Sequence, residues 1–246
     1  MAEVEVGLTQ VEQPAKDQNV QFKITRAPSG KDYHLRHAQE LSTIFLDDPV
    51  LRYMCSSLSE PDRIAYMPQY FTVLMRAAML NSGIFEECND WSCMTVWMPP
   101  GKRIDNELTI LQAGFLGSIL KLGFGGAKRM LIDFSAQVDK IKKKWKRQLG
   151  IREFWYLFFV GTRKAERGKG LASEMIRKWQ REVGNVPIWL EATTEGSRDL
   201  YLRLGFRELE VLVMGKGTHS KDGVVEKGGE GVRLWAMVWM PERTKV

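Results

Sequence analysis

The run Phe154–Gly161, FWYLFFVG, most restricts what this chain can fold into: eight residues without a single charge. A stretch this short and this apolar is a strand covered on both faces, not a membrane span. It passes directly into a basic, glycine-containing loop and then a helix, in the segment FVGTRKAERGKGLASEMIRKWQ (159–180). In that helix Leu171, Met175, Trp179 and Val183 recur every four residues toward a core, while Arg177, Lys178 and Arg181 face water. A buried strand that feeds an amphipathic helix through a tight loop is the unit of an α/β domain.

The remaining periodicities extend this unit. Strand-like alternation at 20–28 (Val20, Phe22, Ile24) precedes a helix over 32–45, which the DDPV stretch at 47–50 breaks. Ser59-Glu60-Pro61-Asp62 opens a second helix that ends at Asn81-Ser82-Gly83. Two strands, 83–88 and 92–99, form a hairpin around Asn89-Asp90-Trp91. A helical block over 104–148 carries two apolar stripes, Leu108, Leu111, Phe115, Ile119, Leu122 and then Met130, Leu131, Phe134, Val138, Ile141, with Gly123–Gly126 predicted to separate them. Beyond 154–161 come a strand at 187–193, a short helix at 197–205 closed by Gly205, a strand at 206–214, a Gly- and Lys-rich loop over 215–231 expected to be mobile, and a last strand at 232–240. The order β-α-α-β-β, then β-α-β-α-β-β, predicts an α/β (α+β) fold with a mixed sheet. Residues 1–18 read as a flexible tail and 19–246 as one domain.

Composition narrows the setting. The polar, acidic N-terminal stretch has neither the basic start nor the apolar core of a secretory signal. Three cysteines, Cys55, Cys88 and Cys93, suit a reducing compartment, so the expectation is the cytosol, with the nucleus as the other candidate. Cys88 and Cys93 flank the hairpin turn and read as packing residues. His34, His37 and His219 do not cluster, and no metal site is expected. A net charge of +6 favours anionic ligands without choosing among them.

The loop Arg163–Ala172 carries the most specific chemistry. Gly168 and Gly170 let a ligand approach the backbone, and the first turn of the following helix offers unpaired N–H groups and a positive dipole end. Arg163, Lys164, Arg167 and Lys169 add positive charge. The loop is not a P-loop, lacking GxxxxGK[ST], nor a dinucleotide fingerprint, since Gly168-Lys169-Gly170 is followed by Leu-Ala-Ser.

In this context Arg167-x-x-Gly170-x-Ala172 resembles the acetyl-CoA motif Q/R-x-x-G-x-G/A of the GNAT superfamily of N-acetyltransferases. A second match lies one strand downstream: Leu200-Tyr201-Leu202-Arg203-Leu204-Gly205-Phe206 resembles the family's L-Y-x-x-x-G-F segment. Within the family, TVWMPPGK (95–102), the helical block and LEATTEGSRDLYLRLGF (190–206) look most similar to the puromycin-acetyltransferase-like and fungal branch. The resemblance implies a mixed, mostly antiparallel sheet with flanking helices, residues 104–148 being an insertion between strands 3 and 4.

It also implies roles. Strands 154–161 and 187–193 would splay around the pantetheine arm of acetyl-CoA, with backbone groups of Phe159, Val160 and Gly161 against it. The pyrophosphate would lie on Arg163, Arg167, Gly168, Lys169, Gly170, Leu171 and Ala172. Tyr201 would protonate the departing thiolate. Glu191, flanked by apolar residues on a cleft-lining strand, is the candidate base, or a structural carboxylate. Thr194 and Ser197 depart from the family's frequent Asn and Ala; either hydroxyl has the chemistry to bond the pantetheine.

The implied reaction is transfer of an acetyl group to the primary amine of a small molecule. The acceptor would enter among the first helices, the insertion and the last hairpin, where Tyr53, Met54, Tyr66, Tyr70, Phe71, Met75, Phe115 and Trp235 are core or pocket residues. The rival readings are a protein lysine or N-terminal acetyltransferase and a non-catalytic acyl-CoA-binding module. The basic run KIKKKWKRQ (140–148) reads first as a solvated helix face; with only Trp145 interleaved, nucleic acid is the less favoured partner, and no membrane is expected.

Overall fold

A computed structural model of the chain describes residues 22–27, 32–104 and 106–242. The expected tail, Val20 of the first predicted strand and the start of the helix predicted from Asp32 border or fall on stretches outside these residues. The described elements are β1 (Ile24–Arg26), α1 (Tyr33–Ile44), α2 (Pro49–Met54), α3 (Glu60–Leu80), β2 (Ile84–Cys88), β3 (Cys93–Met98), α4 (Glu107–Gln112), α5 (Phe115–Lys128), α6 (Gln137–Leu149), β4 (Trp155–Thr162), α7 (Leu171–Glu182), β5 (Ile188–Ala192), α8 (Glu195–Arg203), β6 (Arg207–Met214) and β7 (Val232–Trp239). A π-helical turn, Arg129–Ala136, joins α5 to α6.

The strands form one sheet in the order β1-β2-β3-β4-β5-β7-β6. Every neighbouring pair is antiparallel except β4 and β5. That mixed, mostly antiparallel sheet is the expected one. α1, α2, α3 and the insertion cover one face, with Leu41, Met67, Phe71 and Met75 fully buried there. α7 and α8 cover the other, where Trp97 stacks on Trp179 with ring centroids 4.5 Å apart.

Local chemistry accounts for the helix boundaries. Ser59 accepts from the Asp62 N–H at the start of α3, as its sequence predicts. Asp48 caps α2, so DDPV both ends α1 and begins a helix that periodicity alone does not reveal. In the insertion, Gly123 leaves helical geometry (φ 68°, ψ −179°), so two helical stretches meet within α5 at the start of the glycine run expected to separate the stripes. A further break that the periodicity does not predict lies at Gly114, at φ 102°, between α4 and α5. The predicted first stripe is split accordingly: Phe115 and Leu122 are buried, while Leu108 and Leu111 are exposed.

The loop after β6 also differs from expectation. It is tied down by backbone bonds, among them Gly217 N–H to Gly229 O and Gly231 N–H to His219 O. His219 is buried, with its ring edge-on to Tyr53 and Nε2 2.9 Å from Ser56 Oγ. At Gly223 a Cβ would lie 2.2 Å from the Pro49 carbonyl oxygen, so only glycine lets the loop dock this closely on α2.

Candidate functional site

The site begins where β4 and β5 part. Their parallel pairing covers Trp155–Ile188 and Tyr156–Trp189, and no further pair follows. Against β3, β4 slips register: Val96 faces Phe159 and Trp97 faces Leu157, leaving Phe158 as a bulge. The bulge puts two successive rings, Phe158 and Phe159, on the α1–α3 face, with centroids 4.4 Å apart. It also re-aims the strand end. Past it, Phe159, Val160 and Gly161 keep β3 on one edge and present the other to the gap. At Gly161 a Cβ would crowd Leu41, Ile44 and Phe45 at 3.0–3.2 Å, so glycine there also lets α1 approach β4.

At the far end of β4 lies the basic loop. Gly168 (φ 81°) and Gly170 (φ 78°) are left-handed, and a Cβ at either would meet nothing within 4 Å: the space above the loop is open. Gly170 is the N-cap of α7, so the free amides of Leu171 and Ala172 open onto that space. Arg167 donates to the Thr162 carbonyl at 3.3 Å and is otherwise exposed. Arg163 is engaged elsewhere, its Nε and Nη2 donating to Glu40 at 3.0 and 2.6 Å. Lys169 pairs with Glu166 at 2.9 Å. The loop therefore presents backbone amides and Arg167 more than the full set of four cations. Open amides at a helix N-terminus with an arginine beside them are chemistry that suits a pyrophosphate, and the gap in the sheet lies beside them.

Tyr201 is buried on α8 against Phe206, on the α7–α8 face. Its hydroxyl has no hydrogen-bond partner among the described residues. Burial first, then the Cys93 thiol and the Asp48 carboxylate, hold its pKa well above the usual phenol value. Asp48 belongs to the opposite face, so the two groups sense each other where no strand separates them. Thr194 and Ser197 form a capping box at the start of α8: Thr194 Oγ1 accepts from the Ser197 N–H, and Ser197 Oγ accepts from the Thr194 N–H, both at 3.2 Å. The cap accounts for both hydroxyls.

Glu191 is nearly sealed, its side chain 4% exposed. Oε2 accepts from the Tyr156 hydroxyl at 2.6 Å and Oε1 from the Trp189 indole at 2.7 Å. Lys142 Nζ stands 3.3 Å from Oε1 and 3.8 Å from the Tyr156 ring centroid. With three donors, the arrangement matches the structural reading of Glu191, with lysine as the cation.

A second carboxylate escaped sequence reasoning. Asp48 is buried; Oδ1 accepts from the Val50 and Leu51 N–H groups at 3.0 Å, and Oδ2 from Thr193 Oγ1 at 2.5 Å. Burial raises its pKa above the usual carboxylate value despite these donors. The sequence signal was faint: an aspartate before proline reads as a helix cap, which it also is.

Asp48, Glu191 and Thr193 line a cavity of about 700 Å³ on the α1–α3 face. Its walls are Phe45, Leu51, Met54, Tyr70 and Leu74 from the first helices, Phe115, Met130, Phe134 and Val138 from the insertion, and Tyr156, Phe158 and Phe159 from β4. Of the aromatic and methionine residues expected to be core or pocket, Met54, Tyr70 and Phe115 line it; Tyr53, Tyr66, Phe71 and Met75 pack in the core. Among the described residues no group of three or more His, Cys, Asp or Glu is arranged to hold a metal, and no helix is long and apolar enough to cross a membrane.

Comparisons with known proteins agree with this geometry. No family model matches the chain. An uncharacterised N-acetyltransferase of Schizosaccharomyces pombe is 29% identical over 178 residues, covering 72% of this chain and 71% of its own. Among solved structures, a Corynebacterium glutamicum protein described as a histone acetyltransferase and related acetyltransferase superposes with TM-score 0.57 at 20% identity, over 91% of this chain and 99% of that one. Arylalkylamine N-acetyltransferase 2 of Aedes aegypti gives 0.56 at 16% identity, over 90% and 99%. The chain is thus similar in sequence to an N-acetyltransferase and shares its fold with solved acetyltransferases.

Proposed function

We propose that the protein transfers the acetyl group of acetyl-CoA to the primary amine of a small molecule by direct attack. The observation that carries this reading is the parting of β4 and β5 after Tyr156–Trp189. The gap lies between an open glycine cradle for phosphate on one side and a largely apolar cavity on the other. Tyr201 and Asp48 flank it from opposite faces.

The residues divide the proton work. An ammonium has no lone pair, so the acceptor must lose a proton before or during attack. Asp48, its pKa raised above the usual carboxylate value by burial, is the better-placed acceptor of that proton; Thr193 fixes its second oxygen. Tyr201 holds its own proton and donates it to the departing sulfur. Glu191 orients Tyr156 and anchors Lys142 at the cavity wall. A cavity walled by side chains of several elements suits a small acceptor better than a protein lysine or N-terminus, which needs a long groove. The expected compartment is the cytosol or nucleus.

Calorimetric titration with acetyl-CoA tests the donor half. Wild type binds, and Gly170→Asp, which strains a left-handed residue and sets a carboxylate beside the pyrophosphate, loses about 100-fold or more. A folded wild type that does not bind acetyl-CoA would sink the proposal. Binding with no thiol release in the presence of any amine would favour the acyl-CoA-binding module.

A further inference from the structure

The basic run of α6 is not simply a solvated face. Asp139, Lys142, Lys143 and Lys146 recur at helical spacing and, with Arg147, turn toward the cavity that holds Asp48. Lys140 and Lys144 are not part of this wall, and Lys144 pairs instead with Glu210 on β6 at 2.7 Å. Within the wall, Lys142 is matched by Glu191, and Asp139 by Arg103. Lys143, Lys146 and Arg147 have no acidic partner within salt-bridge distance among the described residues, and Lys146 lies 5.5 Å from the Phe154 ring centroid. One further carboxylate, the exposed Glu153, lines the same region.

These cations do not serve the donor's phosphates. The cradle lies beyond Thr162, whereas α6 faces the Tyr156 end of β4. The steps between those two residues cover about 20 Å, and screening is substantial beyond about 8–10 Å.

We infer that the acceptor carries an anionic group, a carboxylate or a phosphate, at the end remote from its amine, and that Lys143, Lys146 and Arg147 bind it. The inference rests on the transferase reading above and names its substrate class. The acceptor spans the cavity with its amine at Asp48, an apolar body along Phe134, Val138 and Phe158, and its anion at the α6 mouth. A diamine would instead bring its second ammonium against three cations, so the cavity selects against polyamines.

The test uses the full chain, acetyl-CoA and four sets of primary alkylamines of graded length, ending in methyl, carboxylate, phosphate or ammonium, with thiol release as readout. At the best length a carboxylate or phosphate terminus is expected to raise kcat/KM about tenfold over methyl, and an ammonium terminus to lower it. The carboxylate and phosphate arms tell the two anions apart. The anionic advantage shrinks as salt is raised in the wild type, a readout independent of any variant's folding. In Lys143→Gln/Lys146→Gln/Arg147→Gln the anion-to-methyl ratio falls toward one. Acetylation of methyl-ended amines with no gain from either anion overturns the inference and leaves the transferase reading intact. A protein that binds acetyl-CoA but acetylates no amine overturns both.

Discussion

The two ends of β4 are built on opposite plans. The donor end is local: ten consecutive residues, Arg163–Ala172, turn a strand into a helix and leave the first amides of α7 facing open space. The acceptor end is assembled from segments as far apart as Phe45 and Leu234. A phosphate is recognised by backbone geometry, which neighbouring residues can specify by themselves. A particular amine needs side chains converging from many directions, which only the tertiary fold supplies. The donor end is therefore expected to fail by local strain, and the acceptor end by loss of one charge or proton.

Tyr201, at the junction, gives the largest expected effect. Tyr201→Phe removes the one proton offered to the leaving sulfur, and kcat falls about 10²–10⁴-fold while acetyl-CoA affinity, read by calorimetry, stays nearly constant. Because the phenol is held above its usual pKa, wild-type kcat should show no loss from Tyr201 ionisation across neutral and mildly alkaline pH. An unchanged kcat in the variant would remove Tyr201 from the chemistry.

Asp48→Asn ranks next and separates activity from stability. The raised carboxyl binds its proton more tightly when folded than when unfolded. Its contribution to stability is full at acid pH and is lost as pH rises through the folded value. Asparagine still caps α2 but carries no charge to bury. The variant is thus expected to melt above wild type at neutral pH, with the margin closing on acidification, while kcat/KM drops about 10- to 100-fold and the Asp48 limb of its pH profile disappears. A variant that melts lower at neutral pH, or acetylates normally, contradicts the assignment.

The same contrast explains what was legible in the sequence. The succession of elements along the chain, the loop and Tyr201 are legible from periodicity and two short segments, because each is defined within one or two elements. Asp48 showed only its local half, the cap; its bond to Thr193 joins residues 145 apart. Arg163 read as a phosphate ligand because Glu40, 123 residues upstream, is invisible from the loop. The lysines of α6 read as solvent-facing because nothing in their own helix reveals that its other side closes a cavity. Thr194 and Ser197 are the reverse case: their three-residue spacing already suits a cap, but the family's pattern drew attention to the pantetheine instead.

Glu191 and Lys142 offer the smallest and most discriminating effect. If Glu191 is structural, its worth lies in neutralising a partly buried ammonium and holding Tyr156. Glu191→Gln leaves Lys142 without its counter-charge and is expected to cost about 1–3 kcal/mol in denaturant unfolding. Replacing both, Glu191→Gln with Lys142→Met, removes the orphaned charge together with its partner, so the double variant should recover part of that loss. The non-additivity is the coupling between the two groups. A general base behaves otherwise: Glu191→Gln would abolish turnover at every pH, and no change at Lys142 would restore it. Recovery of stability together with turnover in the double variant fixes Glu191 as scaffolding of the acceptor wall and leaves Asp48 as the carboxylate that takes the proton. Loss of turnover in both, with stability unchanged, would reverse the two assignments.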